Sequence, residues 1–237
     1  MGQSSGVCTG TACLIHRRAG PPATPHRRCA ASDRSGNLQT AHVIAEFRLN
    51  FCSNCAAPVV LKTPPGDHLP RFVCENCGTI HYRNPLLVLG CVPQWEDRIL
   101  ICRRAIEPRR GYWTAPAGFM ENGETLQAAA ARECHEEALA TVEVGSLLAI
   151  VSVTHAHQVH VMFRARLLEP VFAPGPESLE VRLVSEQEVP WEDIAFPSGL
   201  FALRKFFSDR SAGREDHHFA ELRGRFKPGT SSVPEPA

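Results

Sequence analysis

The sequence predicts an α/β chain, an α/β/α sandwich around a mixed sheet, preceded by a small metal-bound ribbon. Three observations predict it. Four strand-like runs rich in β-branched and aliphatic residues, at 86–95, 98–103, 142–153 and 159–168, alternate with one strongly helical segment at 125–138 and are followed by a second at 197–207. That order buries helices against both faces of a sheet. Upstream stand two cysteine pairs, Cys52-Ser-Asn-Cys55 and Cys74-Glu-Asn-Cys77, with eighteen residues between them. The 237 residues, 43% of them hydrophobic, suffice for one medium core with small additions.

Residues 1–48 contain Arg17, Arg18, Arg27 and Arg28, many Ser, Thr, Ala and Pro, and no acid before Asp33, a composition expected to be disordered. Such a start fits an organelle transit peptide, or an upstream extension of a bacterial reading frame whose functional part begins near Phe51. Myristoylation is disfavoured, because Gly6 stands where Ser or Thr is required. Residues 49–83 form the ribbon. Doubled Cys-x-x-Cys pairs favour a tetrahedral Zn2+ held by Cys52, Cys55, Cys74 and Cys77 over two redox dithiols or two disulfides. Four protein ligands leave no open position, so this zinc should be structural, supplying folding free energy to a segment too short for an adequate core.

In the main domain, expected over 84–209, the first two strands flank a Glu96-Asp97 turn, and a Gly/Pro-rich loop leads from Pro108 to Gly118. The segment 125–138 lacks Gly and Pro and spaces Leu126, Ala129, Ala130 and Cys134 at helical intervals. Two further strands, a loop from Phe172 to Glu180 and a closing helix follow. Residues 210–237 read as a loosely ordered tail, charged and then rich in Gly, Ser and Pro.

The first helix carries the chemistry. Glu133 and Glu137 lie four residues apart on one face, where unpaired anions repel and a bound cation would relieve them. Arg132 and Glu136 are also four apart and can pair. Hard oxygen ligands point to Mg2+ or Mn2+, which binds through a few carboxylates together with waters and substrate phosphates. The implied reaction is hydrolysis of a phosphate ester or anhydride by metal-activated water.

Gly118, five residues, Glu124, seven residues, then Arg132-Glu133-Cys134-His135-Glu136-Glu137 resembles the signature box of the Nudix hydrolases. One departure is visible: Leu139 stands where that family places glycine, so the helix end is expected to differ from the family norm. The resemblance implies two or three Mg2+ ions held by Glu133, Glu137, Glu136 and a loop glutamate, Glu180, the alternative for Glu180 being a surface glutamate in an acidic stretch with Glu177. It further implies a ligand from the carbonyl of Ala117, a bracing role for Glu124, and Arg132 orienting Glu136.

The succession of ribbon, His81-Tyr82-Arg83-Asn84-Pro85, Arg103-Arg104 and the stretch from Trp113 to Phe119 is similar to one Nudix branch, that of the NADH pyrophosphatases and the plastid FAD/ADP-ribose pyrophosphatases. The Ser-Gln-Pro-Trp-Pro-Phe-Pro array of the former is replaced here by Ser152-Val-Thr-His155-Ala-His157-Gln158, and the proline of dedicated ADP-ribose hydrolases is replaced near His155. The resemblance thus implies cleavage of FAD or ADP-ribose to AMP and a phosphorylated partner, with an NADH pyrophosphatase or a non-catalytic nucleotide sensor as alternatives. An RNA-end hydrolase ranks lowest. His155 and His157 are expected to alternate on one strand face and, with His160, to form pocket wall or surface; Trp113 and Tyr82 are left without a role. Net charge is zero, which gives no general attraction to nucleic acid. No apolar run nears the roughly twenty residues needed to span a bilayer. A small-molecule nucleotide substrate, a cytoplasmic setting and no membrane partner are expected, with a homodimer among the assemblies allowed.

Overall fold

The structure, a computed structural model, describes residues 48–223; the expectations for the N-terminal extension and for the last fourteen residues lie outside it. The ribbon comprises β1 (Val59–Lys62), β2 (Arg71–Cys74) and β3 (Ile80–His81), a three-stranded antiparallel sheet with Val59 opposite Cys74 and Phe72 opposite His81. Each cysteine pair occupies a turn at the ribbon's end, where the chain reverses tightly: Ala56 N–H donates to the Cys52 carbonyl at 2.9 Å and Gly78 N–H to the Cys74 carbonyl at 2.9 Å.

The second sheet contains β4 (Leu86–Trp95), β5 (Arg98–Arg104), β6 (Trp113–Thr114), β7 (Ala117–Phe119), β8 (Val142–Val153), β9 (Gln158–Leu167), β10 (Ser178–Val184) and β11 (His218–Leu222). Its order is β10-β5-β4-β9-β8-β11, with β6 paired to β5 and β7 to β4. The β4–β9 and β8–β11 pairs are parallel and the others antiparallel, so the sheet is mixed as expected. Alternation along β5 sorts its residues between two cores. Ile99 and Ile101 pack with Leu200, Phe201 and Leu203 of α2 (Pro197–Ala212), whereas Leu100 and Cys102 pack with Ala129, Ala130, Cys134 and Ala138 of α1 (Leu126–Ala138). The small side chains of α1 let its backbone approach the sheet closely.

Several local expectations change. The loop before the box contains β6 and β7, and the loop after Phe172 becomes strand at Ser178. His155 and His157 do not alternate on a strand; they sit in a single 3-10 turn, where His157 has a left-handed backbone (φ 53°). Residues 210–222 are not the loose tail expected there. Helix α2 runs on to Ala212, ending at left-handed Gly213, and β11 then joins the sheet edge in parallel with β8. A buried ion cluster holds this end: Asp209 pairs with Arg164 of β9 and accepts from His218 Nε2 of β11 at 2.9 Å, and Arg164 also donates to the carbonyls of Leu147 (2.8 Å) and Asp216 (2.9 Å). Among the described residues no helix is long and apolar enough to cross a membrane.

Candidate functional site

Helix α1 is capped by Thr125, whose hydroxyl accepts from Ala128 N–H, and it presents two faces. Glu133 and Glu137 fall on the buried one, at 9% and 6% exposure. Glu136 is exposed and is held by Arg132 Nη1 at 2.8 Å, the expected i,i+4 pair. The arginine does more than that. Its guanidinium also grips both oxygens of Glu124 (2.6 and 3.1 Å), Glu133 Oε1 (2.8 Å) and the Phe119 carbonyl (3.0 Å), and Glu124 in turn accepts from Glu121 N–H. Arg132 thus ties helix to loop, and Glu124 braces that loop as expected.

The box begins where β7 passes over α1. A Cβ on Gly118 would fall inside the Glu133 carboxylate, so only glycine lets the strand cross there. Beside it the backbone N–H of Ala117 bonds Glu137. Burial is the main influence on both carboxyls: it raises Glu133 against the pull of Arg132, and it pushes Glu137, with help from the Glu133 charge, up to about 8. Arg104 acts in the opposite sense on Glu137. Two acids buried on one face and raised in this way form a donor set that suits a hard divalent cation.

The loop after the helix is locked to it. Gly175 N–H donates to the Glu137 carbonyl (3.0 Å) and Ala173 N–H to that of Ala138 (2.9 Å), and a Cβ on Gly175 would strike the Glu136 carbonyl. This places Glu177 as a charge that raises both Glu133 and Glu137. Glu180, two residues into β10, instead pairs with Arg182 and lies 3.9 Å from Arg103. The sequence reading assigned no role to Arg104, Gly175 or Glu177. The available signal was Pro174-Gly175-Pro176, a glycine fixed between two prolines ahead of an acid.

Leu139 adopts a left-handed conformation (φ 48°, ψ 28°), and its N–H caps the His135 carbonyl. Among the other residues singled out, Trp113 is core packing with Arg182 over its ring, and Tyr82 is exposed beneath Arg71. His155 is exposed, its Nδ1 3.4 Å from the Leu222 carbonyl, while His160 is half-buried between Gln158 and Ser198.

In the ribbon the Sγ atoms of Cys52, Cys55, Cys74 and Cys77 all lie within 4.8 Å of one another, a convergence that fits tetrahedral Zn2+. Thiolate character is already favoured at two of them. The Thr79 hydroxyl and backbone bring Cys77 down to about 5, and a backbone bond at Ala57 lowers Cys55. Cys74, though bonded by the Cys77 backbone, is pushed up to about 11 by burial and the neighbouring thiols. A bound cation would bring such a coupled set to full deprotonation.

A family model described as the NUDIX domain matches residues 85–204, and the Nudix zinc-ribbon model, described as Nudix N-terminal, matches residues 50–83. A NUDIX hydrolase of known structure from Nitrosomonas europaea is 50% identical with a TM-score of 0.71, over 73% of this chain and 100% of that one. The NAD-capped RNA hydrolase NudC of Vibrio parahaemolyticus is 32% identical over 100 residues, 42% of this chain and 36% of its own length. An ADP-ribose pyrophosphatase from Methanocaldococcus jannaschii is 26% identical over 113 residues, 46% of this chain and 67% of its own. The chain thus spans about a third of the length of the NAD-capped RNA hydrolases it matches.

Proposed function

Since this chain belongs to the NUDIX hydrolase family, with the zinc ribbon of its Nudix N-terminal module, we propose that it is a Mg2+- or Mn2+-dependent pyrophosphatase that cleaves FAD or ADP-ribose to AMP and a phosphorylated partner. The observation that carries this reading is the buried pair Glu133 and Glu137 folded around Gly118, with Glu137 raised to about 8. Both carboxylates would hold the divalent ion, with the Ala117 carbonyl beside them and Glu136 at the exposed rim. Such an ion, when bound, neutralises charge on the phosphate oxygens and acidifies a water. Arg132 fixes Glu133 and Glu136 in position, and Glu124 fixes Arg132. Glu177 is the better placed loop carboxylate for drawing the proton from the attacking water, because it already acts on Glu133 and Glu137, while Glu180 is occupied by two arginines.

The sensor alternative rested on Leu139, whose left-handed backbone still caps the helix, while Glu133, Glu136 and Glu137 are all present. The absence of the Ser-Gln-Pro-Trp-Pro-Phe-Pro array speaks for FAD or ADP-ribose over NADH. The deciding experiment is AMP release from FAD, ADP-ribose, NADH, NAD+ and NAD-capped RNA, with and without Mg2+ or Mn2+. Preferential metal-dependent cleavage of FAD or ADP-ribose is expected. Preference for the capped RNA would replace this reading with that of the relatives bearing that name, and binding of ADP-ribose without cleavage of any substrate would replace it with the sensor.

A further inference from the structure

One row of residues on the α2 side of the sheet has no part in the diphosphate chemistry. Along β7, Ala117 packs into the α2 core and Gly118 faces Glu133 of α1, so alternation sends Phe119 to the α2 side, where it is 53% exposed. Its partner across the sheet is Val88, whose other neighbour is His160; one rung away Leu86, also exposed, pairs with Gln158. Two apolar side chains thus flank two polar ones, a single residue along the strand from Gly118.

The polar pair is organised. Gln158 Oε1 lies 2.9 Å from His160 Nε2, and His160 Nδ1 lies 2.8 Å from the hydroxyl of buried Ser198 near the start of α2. A carbonyl oxygen only accepts, so Nε2 carries the ring proton; Nδ1 then accepts, and Ser198 donates. Burial keeps the imidazole neutral by bringing it down to about 4, so this order holds at neutral pH. With its oxygen turned toward His160 and accepting there, the Gln158 amide presents its NH2, with two donors, on the other side.

Resting on the pyrophosphatase reading above, we propose that Gln158 is a specificity-determining residue that recognises a planar heteroaromatic ring of the substrate through a hydrogen-bond acceptor on that ring. The ring lies against Phe119 and Leu86, and the diphosphate runs past Gly118 to Glu133 and Glu137. His160 and Ser198 are positioning residues that fix which end of the amide faces the ligand. An NH2 held facing the ligand favours acceptor edges such as flavin carbonyls or purine ring nitrogens over a protonated edge.

The test compares wild type, Gln158→Glu, Ser198→Ala and Ser198→Thr for Mg2+-dependent turnover of FAD and ADP-ribose and for equilibrium binding of both without added metal. Gln158→Glu keeps the shape but replaces donors by acceptors, and it is expected to raise KM and Kd for at least one substrate roughly tenfold or more with kcat within about threefold. Ser198→Ala should raise KM less, and Ser198→Thr should restore it. A change confined to FAD would assign the flavin as the ring, and equal changes for both substrates would assign the shared adenine. Wild-type KM and Kd in Gln158→Glu, with the wild-type enzyme active, would overturn the assignment of Gln158 alone. A wild-type protein that neither binds nor cleaves either compound would overturn the pyrophosphatase reading, and this inference with it.

Discussion

Glu137→Gln should stabilise the metal-free protein at alkaline pH while abolishing its turnover. The folded chain raises Glu137 from 4.5 to about 8 through burial and the adjacent Glu133 charge, so it binds this proton more tightly than the unfolded chain does. The associated stabilisation is complete below pH 4.5, declines as the pH rises, and is gone above about 8. At about 1.4 kcal/mol for each tenfold change in affinity, the charged Glu137 costs the folded state at most about 5 kcal/mol at pH 9. Glutamine is never charged and avoids that cost. Thermal unfolding in buffer without added Mg2+ or Mn2+ should give matching melting temperatures for the two proteins at pH 5. By pH 9 the variant should lead by on the order of 10 °C. Added Mg2+ should close the gap from the wild-type side, because a ligand that binds only the folded state stabilises it by mass action. Exposed Glu136, replaced by Gln, serves as the control and should change the profile far less, since its charge acts on Glu133 and not on Glu137. Parallel melting curves for wild type and Glu137→Gln from pH 5 to pH 9 would refute the reasoning.

Glu177→Gln should lower both the alkaline midpoint of that profile and kcat, because it removes a charge that raises Glu137, whereas Glu180→Gln should change kcat little; the reverse ranking in a side-by-side assay would return the base role to Glu180. Gly175→Ala forces a methyl group into the Glu136 carbonyl, so the loop must move; a loss of about 1–3 kcal/mol by denaturant titration and a lower kcat with unaltered zinc content are expected. Cys77→Ser removes the thiol brought down to about 5, and zinc analysis should find the metal lost, with limited proteolysis now cutting within 50–83. Leu139→Gly relieves a left-handed leucine and should leave activity intact while raising stability by up to about 1 kcal/mol, read as a small rise in melting temperature.

Periodic elements were the most legible. Strands β4 and β8 and helix α1 coincide with the expected ranges because their apolar spacing decides both their type and their buried face. Short pieces were not legible. Strands β6 and β7 span two and three residues inside a Gly/Pro-rich stretch, and only the neighbouring strands β5 and β4 hold them in the sheet. Strand β11 lies in a segment whose charged flanks suggested a tail; the deciding interaction is Asp209 with Arg164 and His218, separated by 45 residues in one case. At the site, the helix spacing gave Arg132, Glu133, Glu136 and Glu137 their places, since i,i+4 geometry is local. Glu177 was given no role because its placement depends on Gly175 packing against the helix backbone, a tertiary fact with only a Pro-Gly-Pro hint in the chain.

The parallel pairing of β11 with β8 also has a temporal side. A ribosome releases β8 some sixty-five residues before β11, so throughout that interval one side of β8 has no strand beside it, and the Arg164 guanidinium waits for an aspartate that has not yet been made. The sheet can close only once Leu222 has been made. A nonsense codon between α2 and β11 would therefore leave an open β edge and strip the Asp209–Arg164 pair of its His218 partner, a product fit for degradation or aggregation even though every box residue is present.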